Sequence, residues 1–221
     1  MATDPMQEFF DAEWEAGRFT RPSNALNSLI QNPQSFLRKN PIVNTFDCAA
    51  HGQTTAYIRN DNTNAKRTGK VLGRLRYHKA ESFNIEQSSG ANSYGHTFNV
   101  HGVFTGPSNV APVWYTLGNT GPSVMLTAKL TGCTFVARAG AAAHEVDVTH
   151  LQPTAESGRT LNRRLRGGGR AAYGRLKYDY AKRSINVIGV RHNGHWRIWV
   201  QRLVKNSHEP RVLGVKRIWP T

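Results

Sequence analysis

From Ile42 onwards the chain is a succession of short β-rich stretches separated by glycine, asparagine and proline, and this pattern restricts the possible folds most. The strongest signal is Asn193-Gly194, a pair typical of two-residue hairpin turns, which lies between the apolar stretches 184–192 and 196–204. The pattern favours an α+β fold, a β-sandwich of mixed sheets with peripheral helices. Further strands are predicted at 54–59, 70–77, 95–104, 113–117, 124–130, 133–138, 146–150 and 212–219.

Residues 1–40 differ from the rest because they predict helices instead of strands. A short acidic helix is predicted over 6–17, and a second helical piece over 24–39 is broken around Asn32-Pro33. We therefore divide the chain into a helical N-terminal segment, 1–40, and a β-rich domain, 41–221.

The net charge of +15 is concentrated in the last third of the chain. Residues 158–221 carry 16 Lys and Arg against two acidic residues, whereas residues 1–157 carry 13 against 12. Such a basic region attracts acidic proteins or nucleic acid, although a solvated face without a partner is an equally open interpretation. The stretch 157–174, at the start of this region, is rich in glycine and arginine and is predicted to be a mobile linker.

No apolar stretch approaches the roughly 20 residues of a membrane-spanning helix, so no membrane span is expected. The first residues lack the basic and apolar regions of a standard secretory signal, so export would need another route. The presence of only two cysteines fits a reducing compartment.

The most informative residue for chemistry is Cys133, which lies between two predicted strands, while His150 ends the strand that follows. A thiol needs a base or a positive environment to attack at neutral pH, and an imidazole within hydrogen-bond reach supplies one. Gly132 allows a tight turn before the cysteine, and the backbone N–H groups around Gly132 and Thr134 are candidates for stabilising an oxyanion. This arrangement predicts acyl transfer by a cysteine nucleophile. An inert buried cysteine is the alternative.

The spacing of Thr127, the run Leu130-Thr-Gly-Cys133 and the run His150-Leu-Gln-Pro153 resembles the cysteine–histidine glutamine deamidases. These toxins and effectors include the catalytic domain of cytotoxic necrotizing factor, Burkholderia lethal factor and the chemoreceptor glutamine deamidase. The resemblance covers only residues 124–153. It implies that Cys133 is the nucleophile, His150 the base and Thr127 the residue that orients the imidazole.

The resemblance further implies a bacterial toxin or effector that converts one glutamine of a host protein to glutamate. The reaction requires no metal or organic cofactor, and a primary amine in place of water would give transglutamination instead. Such a protein would be exported without a standard signal peptide and would act in the host cytoplasm. Residues 41–221 would be the deamidase-like catalytic domain, whose basic region 158–221 recruits an acidic or RNA-associated target.

Three alternatives remain open at this point. His144 could replace His150 as the base, since it lies between Cys133 and His150 in sequence. The chain could be a ribonuclease toxin that uses paired histidines beside arginines for acid–base cleavage of RNA. It could also be a non-enzymatic module that binds RNA or an acidic protein through its basic face. The paired histidines of the ribonuclease hypothesis are His96 with His101 and His192 with His195.

Overall fold

The structure is a computed structural model that describes residues 5–17, 19–61, 66–71, 74–87, 95–178, 181–204 and 209–220. Its helices are α1 Pro5–Glu15, α2 Pro22–Gln31, α3 Pro33–Lys39 and α4 Gly158–Arg164. The first eight strands are β1 Ile42–Asn44, β2 Gly52–Asp61, β3 Lys66–Val71, β4 Arg74–Lys79, β5 Ser82–Gln87, β6 Gly95–Val103, β7 Thr105–Pro107 and β8 Tyr115–Leu117. The remaining strands are β9 Val124–Thr127, β10 Thr134–Ala139, β11 Val146–Gln152, β12 Ala171–Tyr173, β13 Arg183–His192, β14 His195–Val204 and β15 Arg211–Trp219.

The larger of two sheets has the strand order β1-β5-β2-β6-β9-β13-β14-β15-β3-β4 and contains both parallel and antiparallel pairs. The hairpin β13–β14 lies in its middle, with His192 opposite His195. Asn193 and Gly194 adopt φ of 51° and 75°, the left-handed conformation that a two-residue hairpin turn requires. The hairpin predicted from this dipeptide is therefore confirmed.

The smaller sheet has the order β12-β10-β11-β7, and β8 also pairs with β11. One apolar core fills the space between the two sheets. Met125 and Val187 of the large sheet meet Phe135 and Val148 of the small sheet there, all fully buried. This packing of one sheet on another confirms the predicted α+β sandwich of mixed sheets.

Helices cover the outer faces of both sheets. Leu29 of α2 and Leu37 of α3 pack with Ile58 of the large sheet in a second core. On the other side of the molecule, Leu161 of α4 packs with Val136 of the small sheet. The helix break predicted around Asn32-Pro33 is also confirmed, because α2 ends at Gln31 and α3 begins at Pro33.

The prediction of a mobile linker over 157–174 is wrong. The stretch forms α4 and β12, and the side chain of Ser157 accepts a hydrogen bond from the backbone N–H of Thr160 at the start of the helix. Leu161 and Leu165 are buried on one face of this segment, and that burial orders a sequence whose glycine content suggests mobility.

Four short strands, β1, β5, β7 and β12, were not predicted, and the single strand predicted at 70–77 falls on both β3 and β4. Residues 72–73 of that prediction lie outside the described residues. Of the helices in the described ranges, none has the length and apolar character needed to cross a membrane.

Candidate functional site

The three residues of the predicted site come from both sheets. Thr127 ends β9 of the large sheet, whereas His150 lies on β11 of the small sheet and Cys133 immediately precedes β10. His150 is directly opposite Phe135 across the β10–β11 pair. Because side chains alternate along a strand, Cys133, two residues before Phe135, belongs to the same face as His150. This face is directed towards the core between the sheets.

The hydrogen bonds around His150 favour one tautomer. Its Nδ1 lies 2.7 Å from Oγ1 of Thr127, and the same hydroxyl lies 2.7 Å from the carbonyl oxygen of Val103, which can only accept. When the hydroxyl donates to Val103 it accepts from His150, an arrangement that favours the ring proton on Nδ1 and the lone pair on Nε2. Nε2 is buried and has no hydrogen-bond partner in the part of the chain that the structure describes.

Burial keeps this imidazole neutral. The side chain is 1% exposed, and desolvation lowers the pKa of His150 from its ordinary 6.5 to about 3. The ring is consequently uncharged over the whole neutral range, and in this buried state it is a weak proton acceptor.

Two contacts, one at this imidazole and one at Thr127, escaped the sequence interpretation. Thr105 of β7 places a second hydroxyl 2.9 Å from His150 Nδ1 and pairs with His150 in parallel register. Asn44 of β1 donates from Nδ2 to the backbone oxygen of Thr127 at 2.9 Å, which fixes the end of β9. Thr105 follows the predicted strand at 95–104, but nothing in the sequence signals its pairing with a residue 45 positions away.

Cys133 lies just below the surface, with 9% of its area exposed, next to the exposed Thr131 and the half-buried Gly132. Desolvation raises the pKa of the Cys133 thiol, and the backbone N–H groups of Thr131 and Cys133 at the sulfur partly oppose this effect. The thiol is therefore protonated at neutral pH. Since His150 Nε2 has no hydrogen-bond partner among the described residues, the thiol is not hydrogen-bonded to it in this structure.

The turn before Cys133 depends on glycine at two positions. Gly132 has φ +150°, a region that residues with side chains rarely adopt. A Cβ on Gly158, the first residue of α4, would lie 2.7 Å from the carbonyl oxygen of Gly132. The helix α4 can thus approach the turn closely only because position 158 has no side chain.

The N–H of Gly132, a predicted oxyanion donor, already has a hydrogen-bond partner in this structure. The N–H of Gly132 donates to the hydroxyl of Tyr178 at 3.0 Å, and this hydroxyl in turn donates to the carbonyl oxygen of Cys133 at 3.3 Å. Thr134, the other predicted donor, begins β10 opposite Leu151 and is fully buried. The backbone N–H groups that lie at the sulfur are those of Thr131 and Cys133. Tyr178 was missed because its contact with the turn spans 45 positions.

The structure places the alternative base His144 far from Cys133. It lies in the turn that joins β10 to β11, with φ 68°, whereas Cys133 precedes the opposite end of β10. A strand of six residues extends about 20 Å, far beyond hydrogen-bond reach. Nδ1 of His144 instead lies 3.1 Å from Nδ1 of His195 at the surface.

Of the two histidine pairs proposed for RNA cleavage, the structure separates His96 from His101 and brings His192 and His195 together. His96 and His101 are five residues apart on β6, so strand alternation directs them to opposite faces. His101 is buried, with Nδ1 2.8 Å from the hydroxyl of Tyr115. His192 and His195 face each other at the tip of the β13–β14 hairpin.

No protein-family model and no curated protein matches this sequence. The resemblance to glutamine deamidases therefore remains a matter of residues 124–153 and of the contacts that these residues make.

Proposed function

We propose that this chain is a bacterial toxin or effector that deamidates a glutamine of a host protein, with Cys133 as nucleophile, His150 as base and Thr127 as the orienting residue. The observation that carries the proposal is the 2.7 Å contact between Thr127 Oγ1 and His150 Nδ1. It supports a neutral imidazole with Nδ1 held by a hydroxyl and Nε2 without a partner among the described residues.

The strand order supports a ring whose Nε2 lies on the side of the thiol. β11 lies between β7 and β10, and Thr105 of β7 contacts Nδ1. The two ring nitrogens point in divergent directions, so a contact from β7 at Nδ1 is compatible with Nε2 on the side of β10. Cys133 leads into β10, and diagonal neighbours across an antiparallel pair are about 7–8 Å apart at their Cα atoms. Formation of the thiol–imidazole hydrogen bond is the step that substrate binding has to bring about.

The reaction then proceeds through a thioester. His150 Nε2 takes the proton of Cys133 as the sulfur adds to the side-chain carboxamide carbon of glutamine. The N–H groups of Thr131 and Cys133 stabilise the oxyanion, and His150 returns the proton to the departing nitrogen, which leaves as ammonia. Water, deprotonated by His150, next attacks the thioester, so that the products are glutamate and the free thiol. A primary amine in place of water would form a cross-linked amide.

The proposal also includes a route of delivery and a means of recruiting the target. The chain would reach the host cytoplasm without a standard signal peptide. The basic region 158–221 would attract an acidic or RNA-associated target, because its charge of +14 acts over the distance of encounter.

The test is ammonia release from a host-cell protein extract, followed by peptide mass spectrometry for conversion of glutamine to glutamate. Wild type should modify one protein, and Cys133→Ser should modify none. Cys48→Ser provides the matched control because Cys48 is the other buried cysteine and lies in a separate core. Equal ammonia release by wild type and Cys133→Ser would contradict the proposal. RNA degradation without ammonia release would favour the ribonuclease hypothesis.

A further inference from the structure

A basic groove of about 480 Å³ separates the edge of the small sheet from β15 of the large sheet. One wall is β12, with Ala171, Ala172 and Tyr173, and the other includes Ile218 and Pro220. Five exposed cationic side chains line it, and none of them forms an ion pair within the described part of the chain. These are Arg166, Arg170, Lys177, Lys216 and Arg217.

The groove is connected to the candidate site by two tyrosines. Tyr173 pairs with Phe135 of β10, and its ring stacks on that of Tyr178 with centroids 6.2 Å apart. The hydroxyl of Tyr178 bridges Gly132 and the carbonyl of Cys133. A molecule in the groove would therefore lie beside the turn that carries the thiol.

The groove also contains an unpaired strand edge. Within the described structure β12 is the terminal strand of its sheet and is hydrogen-bonded only to β10. An edge strand presents N–H and C=O groups that an extended peptide can pair with. Ala171 and Ala172 have small side chains, which lets a second backbone approach closely.

The aromatic content of the groove argues against single-stranded nucleic acid. Proteins that bind such strands stack bases on exposed aromatic rings. The one aromatic residue of this lining, Tyr173, is 5% exposed and already stacked on Tyr178. Positive charge together with an open strand edge fits an acidic polypeptide better.

We propose that the groove binds an extended acidic segment of the protein substrate, which pairs with the free edge of β12 and places its carboxylates against the five cations. The role in substrate choice rests on the proposed deamidase activity, whereas the binding itself is measurable without it. The segment would position a neighbouring glutamine at Cys133.

The experiment is fluorescence polarisation with a short labelled peptide of alternating glutamate and threonine, which contains no glutamine. Three further probes accompany it: the same peptide with serine for glutamate, the acidic peptide with N-methylated backbone amides, and oligouridine RNA of equal charge. The groove variant is Arg170→Ala with Lys216→Ala. The control variant is Arg38→Ala with Lys39→Ala, which removes two exposed cations from α3.

The acidic peptide should bind wild type, and the groove variant should weaken binding at least about tenfold, or about 1.4 kcal/mol. The control variant should leave binding nearly unchanged, and both serine substitution and N-methylation should weaken it. Equal losses in the two variants, or an unaffected N-methylated peptide, would overturn the proposal. RNA binding that the groove variant abolishes, without peptide binding, would identify a nucleic-acid groove and also overturn it.

Peptide binding and ammonia release test the groove and the deamidase proposal separately. Ammonia release by a protein that does not bind the acidic peptide would refute the groove and leave the deamidase. Peptide binding without any ammonia release would support the groove and refute the deamidase proposal. Because all four substituted side chains are exposed, thermal melts of the two variants should match that of wild type.

Discussion

The hydroxyl of Thr127 and the imidazole of His150 join the two sheets of the sandwich, with Oγ1 of β9 2.7 Å from Nδ1 of β11. The Thr127 hydroxyl also donates a hydrogen bond to the carbonyl of Val103, an arrangement that favours the tautomer of His150 with the lone pair on Nε2. In the proposed deamidase, position 127 would therefore need a hydroxyl and not merely a β-branched side chain.

Thr127→Val should lower kcat of the proposed deamidation because it removes one of the two hydroxyls at His150 Nδ1, leaving that of Thr105, while keeping the shape of the side chain. The loss of one hydrogen bond costs about 0.5–1.5 kcal/mol, which corresponds to about a 2- to 13-fold loss. Thr127→Ser retains the hydroxyl and should recover most of the activity. Ammonia release under single-turnover conditions measures both. Equal activities for the valine and serine variants would show that the hydroxyl does not orient the base.

His150 should make the protein sensitive to acid. The unfolded imidazole takes up a proton below about pH 6.5, whereas the buried one does so only near pH 3, so the unfolded state binds more protons between these values. The free energy of unfolding should therefore fall by about 2 kcal/mol from about pH 7 to about pH 5 on account of this residue.

Urea unfolding of wild type and His150→Gln at both pH values isolates the effect. His51 and His101, whose pKa values burial also lowers, are present in both proteins and cancel in the comparison. The variant should lose about 2 kcal/mol less than wild type over the interval. Parallel pH profiles would mean that the ring is not buried in its neutral form.

Gly158→Ala, a substitution at the start of α4, should disturb the neighbouring turn at Gly132. The new methyl group would lie 2.7 Å from the Gly132 carbonyl oxygen, a backbone atom that cannot rotate away. We expect a stability loss of about 1–3 kcal/mol and reduced ammonia release. Gly118→Ala is the control, since no atom lies within 4 Å of the added methyl, and its effect on Tm should be small. A neutral Gly158→Ala variant would contradict the close packing of α4 on the turn.

Tyr178→Phe should expose the thiol. Removal of the hydroxyl leaves the Gly132 N–H and the Cys133 carbonyl without their partner, so the turn opens more often. Alkylation of Cys133 by iodoacetamide, followed by mass spectrometry, should become severalfold faster. Cys48 is an internal reference because it is distant from Tyr178 in the packing and burial raises its pKa to about 11. Equal acceleration at both cysteines would indicate global destabilisation.

Local sequence signals predicted those parts of the fold that local physics determines. Asn193-Gly194 defines the β13–β14 hairpin because few other residue pairs adopt left-handed conformations at successive positions. The break at Asn32-Pro33 follows from the missing N–H of proline. The spacing of Thr127, Cys133 and His150 led to a hypothesis about chemistry, and the role of these residues stays a prediction.

Contacts between distant parts of the chain could not be predicted in this way. Thr105 and Tyr178 each reach the site across 45 positions, and such pairings depend on how whole sheets pack. Two short strands that bring them close, β7 and β12, have three residues each, too few to show an alternating pattern. The order of the ten strands in the large sheet likewise depends on contacts between distant parts of the chain.

If the proposed deamidase activity holds, the division of the site between two layers has a consequence for inhibition. A compound that separates β9 from β11 would detach the imidazole from Thr127 without occupying the place of the substrate or touching the sulfur. Such an inhibitor of the proposed deamidase would act noncompetitively, so a high concentration of the target protein would not displace it.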